Sequence, residues 1–120
     1  MTTAQLDDFV PLSPRVFHIL LALAEGTAHG YRLMLAVEAN SQGRVRIGPG
    51  TLYEALHRLS EQGLIDEVEE GKRPKADGRR QRYYRLARLG KRVLRAEAER
   101  LAGDLQVARA YNVLGEERSS

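Results

Sequence analysis

Apolar positions along the chain change their spacing from one stretch to the next, and each change marks an element. Residues 14–25, PRVFHILLALAE, are apolar almost all round. Ser13 stands before them as a helix cap and Pro14 fills the first helical position, so a mostly buried helix is predicted, stopped by Gly26. His18 within it reads as a packed core or interface histidine. Residues 1–12 hold only Leu6, Phe9, Val10 and Leu12 as apolar anchors and read as a mobile arm. A second helix begins around Thr27-Ala28-His29-Gly30-Tyr31, buries Leu33, Met34 and Val37, and closes at Asn40-Ser41-Gln42-Gly43, with His29 read as its cap.

Residues 48–65, GPGTLYEALHRLSEQGLI, carry the clearest amphipathic pattern. Leu52, Leu56 and Leu59 recur at spacings of four and three and predict a short helix over 50–62, with Gly63 as its stop. Tyr53, Glu54, His57, Arg58 and Glu61 fall on its other sides. The period then shortens. Residues 64–70 and 81–86 read as paired strands, Arg82, Tyr84 and Leu86 alternating with Gln81, Tyr83 and Arg85. Between them EGKRPKADG is polar and basic, with Asp77-Gly78 as a hairpin turn. From 88 to 111 a helical stripe of Leu89, Val93, Leu94, Leu101, Leu105 and Ala108 runs beside polar Glu97, Glu99, Arg100, Asp104 and Arg109. Such a helix is about 35 Å long, more than a domain this small covers by itself. Its excess apolar stripe calls for a second copy, giving a two-fold dimer; a helix folded back onto its own domain is the alternative. The predicted fold is mainly α with a two-stranded β-hairpin: a winged helix-turn-helix over 1–87, then a long C-terminal dimerisation helix and tail over 88–120.

Composition narrows the class. The 120 residues contain 42% hydrophobic positions and no cysteine, so one core is expected, with no disulfide or thiolate metal site. No apolar run approaches the roughly 20 residues of a membrane span. The first ten residues lack the basic region of a signal peptide. A cytoplasmic protein with no membrane partner is expected. The net charge is only +3, but its distribution is uneven. Lys72, Arg73, Lys75, Arg79, Arg80, Arg82, Arg85, Arg88, Lys91, Arg92 and Arg95 are opposed in their stretch only by Asp77, while Asp66, Glu67, Glu69 and Glu70 gather before them. A field of that kind attracts phosphate backbone; a solvated charged face fits the same run.

Enzyme chemistry is not encoded in any recognisable form. The chain has no glycine-rich phosphate loop, no HExxH and no nucleophile elbow, and His18, His29 and His57 are scattered over separate elements. No enzyme activity, cofactor or metal is expected.

Three segments, HGYRL at 29–33, GPGTLYEALHRLSEQGLI at 48–65 and RRQRYYRLARLGKRVL at 79–94, together resemble the PadR family of bacterial transcriptional regulators. The similarity covers about residues 12–95. It implies a homodimeric winged helix-turn-helix, usually a repressor released by a small aromatic or drug-like effector. One departure stands out: Ala87 occupies the position where the family usually has a threonine to cap the last helix. On this reading Thr51, Glu54, His57 and Arg58 face the major groove of double-stranded DNA, and Tyr31 and Tyr53 contact phosphates. Lys72, Arg73, Lys75, Arg79 and Arg80 of the wing neutralise the backbone of a roughly palindromic operator. Tyr84 is expected to pack the hairpin. A winged helix that docks a protein, or binds a ligand, without reading DNA is the alternative.

Overall fold

The Ser13 hydroxyl accepts a hydrogen bond from the Val16 N–H at 3.1 Å, so α2 (Pro14–Leu23) starts where a capping serine and a proline meet. The structure, a computed structural model, describes residues 3–68 and 82–115. Before α2 lies a short α1 (Thr3–Asp7). After it come β1 (Ala28–His29), α3 (Gly30–Asn40), α4 (Pro49–Glu61), β2 (Ile65–Val68), β3 (Tyr83–Leu86) and α5 (Arg88–Ala110). His29 caps α3, its Nδ1 accepting from the Arg32 N–H at 3.3 Å.

The helices meet on one core. Ile19, Leu20 and Leu23 of α2 pack with Leu33 and Val37 of α3, and with Leu52, Leu56 and Leu59 of α4. Each fully buried leucine contributes about 2 kcal/mol of apolar transfer free energy. Leu64, Ile65, Tyr84 and Leu86 close that core from the sheet side, as the alternation in 81–86 predicts. Burial, and after it the Glu67 carboxylate, raise the Tyr84 pKa, so its phenol stays neutral throughout the physiological range.

Among the described residues the sheet has three antiparallel strands in the order β1-β3-β2, β1 adding to the expected hairpin. Ala28 and His29 pair with Tyr84 and Tyr83, and Ile65 to Val68 pair with Leu86 to Tyr83. β2 begins at Ile65 and β3 at Tyr83, each later than its pattern suggests. The N-terminal arm also differs from expectation. Leu6, Phe9, Val10 and Leu12 pack against the core, and α1 lies against α5.

α5 divides its apolar stripe. Val93 and Leu94 are buried in the chain's own core and Leu89 packs at its edge, whereas Leu101 and Leu105 are exposed. Val93 and Leu94 therefore place their apolar surface in the protomer's own core. Glu97, expected at the surface, is buried instead. Its carboxylate takes two hydrogen bonds from Arg100, at 2.9 and 2.8 Å, and also accepts from the Leu12 backbone N–H. The Arg100 bonds, opposed by burial and helped by Leu12, hold its pKa below the ordinary glutamate value. A depressed carboxylate pKa means stability that is present above the unfolded-state value and lost as pH falls through the folded one. Glu97→Gln is expected to cost about 1–2 kcal/mol near neutral pH, because the Arg100 guanidinium can still turn to water. It is also expected to remove part of the loss of stability on acidification below that value. Urea unfolding of both proteins at neutral and acidic pH checks this; an unchanged pH dependence would contradict it.

Candidate nucleic-acid interface

Gly48 and Pro49 open α4 without a side-chain cap: proline at the first position has no N–H to satisfy, and the Leu52 N–H reaches the Gly48 carbonyl at 2.9 Å. At the other end Gly63 has φ +80°. Its N–H bonds the Ser60 carbonyl at 3.1 Å and the Leu64 N–H bonds Leu59 at 3.0 Å, the paired bonds of a Schellman stop. Leu59 and Leu64 are both buried beneath it. The helix is thus fixed at both ends by backbone geometry, leaving its polar side chains free for another task.

Those side chains sort by angle around α4. Leu52, Leu56 and Leu59 face the core, while Thr51, Glu54, His57, Arg58 and Glu61 are exposed. His57 Nε2 lies 3.4 Å from a Glu61 carboxylate oxygen one turn on, with both side chains largely in solvent. Arg58 sits in the last turn, where a cation is favoured by the helix dipole. A helix with one buried face and an exposed face of hydroxyl, carboxylate, imidazole and guanidinium carries donors and acceptors suited to base edges.

Tyr53 has a second occupation. Its ring lies across the first residue of α3: a Cβ built on Gly30 would meet the Tyr53 Cζ at 2.8 Å and its hydroxyl closer still. Tyr53 therefore sets how closely α4 approaches α3 while remaining 44% exposed. Tyr31, one residue along α3, is 62% exposed.

The basic stretch is less one-sided in space than along the chain. Antiparallel pairing sets Arg85 opposite Asp66, with 3.9 Å between the charged groups, and Arg82 lies 3.6 Å from Glu67. All four side chains are substantially solvated, so these pairs contribute little to stability but trim the local positive field. Arg88, Lys91, Arg92 and Arg95 are exposed on α5. The first turn of that helix has no acidic residue, and Ala87 supplies no capping side chain. Its positive dipole end and its cations therefore add. Lys72, Arg73, Lys75, Arg79 and Arg80 lie outside the described residues.

Arg15 is a residue that pattern reading passes over. It lines a groove with Thr51, Glu54 and Arg58 of α4, and its only sequence signal is an exposed position just after Pro14. Among the described residues no group of three or more His, Asp or Glu side chains could hold a metal ion. No helix there is long and apolar enough to cross a membrane.

Comparison with known proteins places the chain in a family. Residues 19–96 match the transcriptional regulator PadR-like family. The transcriptional regulator Rv3488 of Mycobacterium tuberculosis is 38% identical over 77 residues, covering 64% of this chain and 65% of that protein. An uncharacterized transposon protein of Streptomyces fradiae is 39% identical over 84 residues, covering 70% of this chain and 22% of the relative. The matches thus span less than two thirds of either relative's length. Among solved structures, a transcriptional regulator from Clostridium thermocellum superimposes with a TM-score of 0.63 at 22% identity, covering 92% of this chain and 97% of that one. A PadR-like regulator from Bacillus cereus gives 0.61 at 18% identity over 96% and 100%. At such identities the superpositions speak for the fold.

Proposed function

The chain belongs to the PadR-like family of transcriptional regulators, and from that premise we propose that it is a homodimeric repressor that reads double-stranded DNA through α4 and is released by a small aromatic or drug-like effector. The observation that carries the reading is the division of α4 into a leucine face in the core and an exposed face of Thr51, Glu54, His57 and Arg58. An α-helix fits the major groove, where all four base pairs are distinguishable. Arg58 is assigned to guanine, as a guanidinium can bond its O6 and N7 together. Tyr31 and Tyr53 donate to phosphates beside the helix. Lys72, Arg73, Lys75, Arg79 and Arg80 neutralise backbone charge and add affinity without sequence information.

Leu101 and Leu105, with Ala108 beside them, are assigned to the seam between two copies; the two leucines are 39% and 44% exposed in the single chain. A two-fold dimer presents its pair of α4 helices to half-sites about one helical turn apart on a roughly palindromic operator. Arg58→Ala is expected to weaken operator binding by about 10- to 100-fold, corresponding to about 1–3 kcal/mol, and random duplex far less. Anisotropy titrations on both duplexes check this. Equal losses on the two would reduce Arg58 to a phosphate contact.

A further inference from the structure

A groove of about 370 Å³ runs between the N-terminal segment and α4, a volume within the range of small-molecule sites. Its apolar lining is Phe9, Leu12, Val16, Ala55 and Leu59, all partly or fully buried. Four charged side chains stand around it. Asp8 and Arg15 belong to the N-terminal wall, Glu54 and Arg58 to the α4 wall. Each wall therefore carries one carboxylate and one guanidinium. None of the four takes part in an ion pair with a described residue, although Glu54 and Arg58 are one helical turn apart.

We infer that this groove is a binding site for an amphipathic zwitterion, a molecule with an apolar body and separate cationic and anionic ends, and that its occupation competes with DNA for α4. Charge matching selects the class. A pure anion would satisfy the guanidiniums and be repelled by Asp8 and Glu54, and a pure cation would meet the reverse, whereas a zwitterion pairs with both signs. The apolar body is held by the lining, where burial of apolar area provides the larger part of the affinity. Competition follows from shared residues: Glu54 and Arg58 cannot bond a ligand and a base edge at once. The binding itself does not depend on the DNA-reading assignment; the competition does.

The test uses the full chain and the dipeptide phenylalanyl-phenylalanine as a zwitterionic probe, with its N-acetylated form as the anion and its C-terminal amide as the cation. Amide chemical shifts followed by NMR are expected to move at Leu12, Val16, Ala55 and Leu59. The zwitterion should bind roughly fivefold more tightly than either singly charged form, the effect of one extra partly solvated ion pair. Asp8→Asn should narrow the margin over the anion while leaving DNA affinity unchanged. Equal affinity for all three forms, or shifts confined to other elements, would overturn the site. Added to a protein–DNA complex, the zwitterion should lower the anisotropy. Groove shifts without release of DNA that the protein demonstrably binds would overturn the competition. A protein that binds no DNA would still show the groove shifts, which separates failure of this inference from failure of the DNA reading.

Discussion

Gly90→Ala is expected to destabilise the fold by about 3 kcal/mol or more, the upper end of what over-packing costs, because what it meets is backbone. A Cβ at Gly90 would lie 3.0 Å from the Leu64 carbonyl carbon and nearer still to its oxygen. That oxygen already accepts a hydrogen bond from the Ala87 N–H at 3.0 Å. Leu64 joins α4 to β2, so the carbonyl cannot retreat without disturbing the end of the reading helix. α5 would have to lift instead, withdrawing Val93, Leu94 and Glu97 from the core they fill. Thermal unfolding should show a midpoint lower by on the order of 10 °C. Gly103 of the same helix supplies the internal control, since a Cβ there meets nothing within 4 Å. Gly103→Ala should raise stability by about 0.5–1 kcal/mol through helix propensity alone. Opposite signs within one helix separate packing from propensity; equal small effects would contradict the close approach at Gly90.

Leu101→Glu combined with Leu105→Glu is expected to leave a folded monomer. Both leucines are exposed in the single chain, so the new carboxylates enter water, not the protomer's core. The fold of each copy should therefore persist, with α5 anchored through Val93, Leu94 and the Glu97–Arg100 bridge. A two-fold seam would instead bring four carboxylates close together. Uncompensated charge at an interface costs several kcal/mol, a weakening of association by about 100-fold or more. Sedimentation should then report monomer, and circular dichroism a retained helix content. A dimer that survives both substitutions would place the seam elsewhere. Retained helix content matters here, because the double variant then tests association and not folding.

The parts of the fold legible in the chain are those where one residue type repeats at one period. Leu52, Leu56 and Leu59 mark α4 and its buried face without help from any other element. The Tyr84 and Leu86 alternation likewise points to the side of β3 that is buried. What escapes reading depends on contacts between distant segments. β1 has two residues, too few to show a period, and exists because Ala28 and His29 lie beside Tyr84 and Tyr83; the His29 and Tyr83 rings meet edge to face at 5.6 Å. Glu97 sits on the polar side of the α5 stripe yet is buried, accepting from the Leu12 backbone N–H, far off in sequence. The same long-range packing turns the arm before Pro14 into a wall of the groove beside α4. Charge misleads for a similar reason. Acids and bases segregated along the chain are interleaved by the β2–β3 register. Among the candidate site residues, exposure on α4 was readable from the helical period. The contact of Tyr53 with Gly30, which fixes the approach of α4 to α3, was not.

The most direct test of the account is fluorescence anisotropy of the purified protein on duplexes tiled across its own upstream region and on random DNA, at two salt concentrations. The account predicts saturable binding to one palindromic tile, weakening steeply as salt rises because phosphate contacts release counterions. Equal weak binding to every tile, or none at low salt, would contradict a regulator that reads DNA through α4.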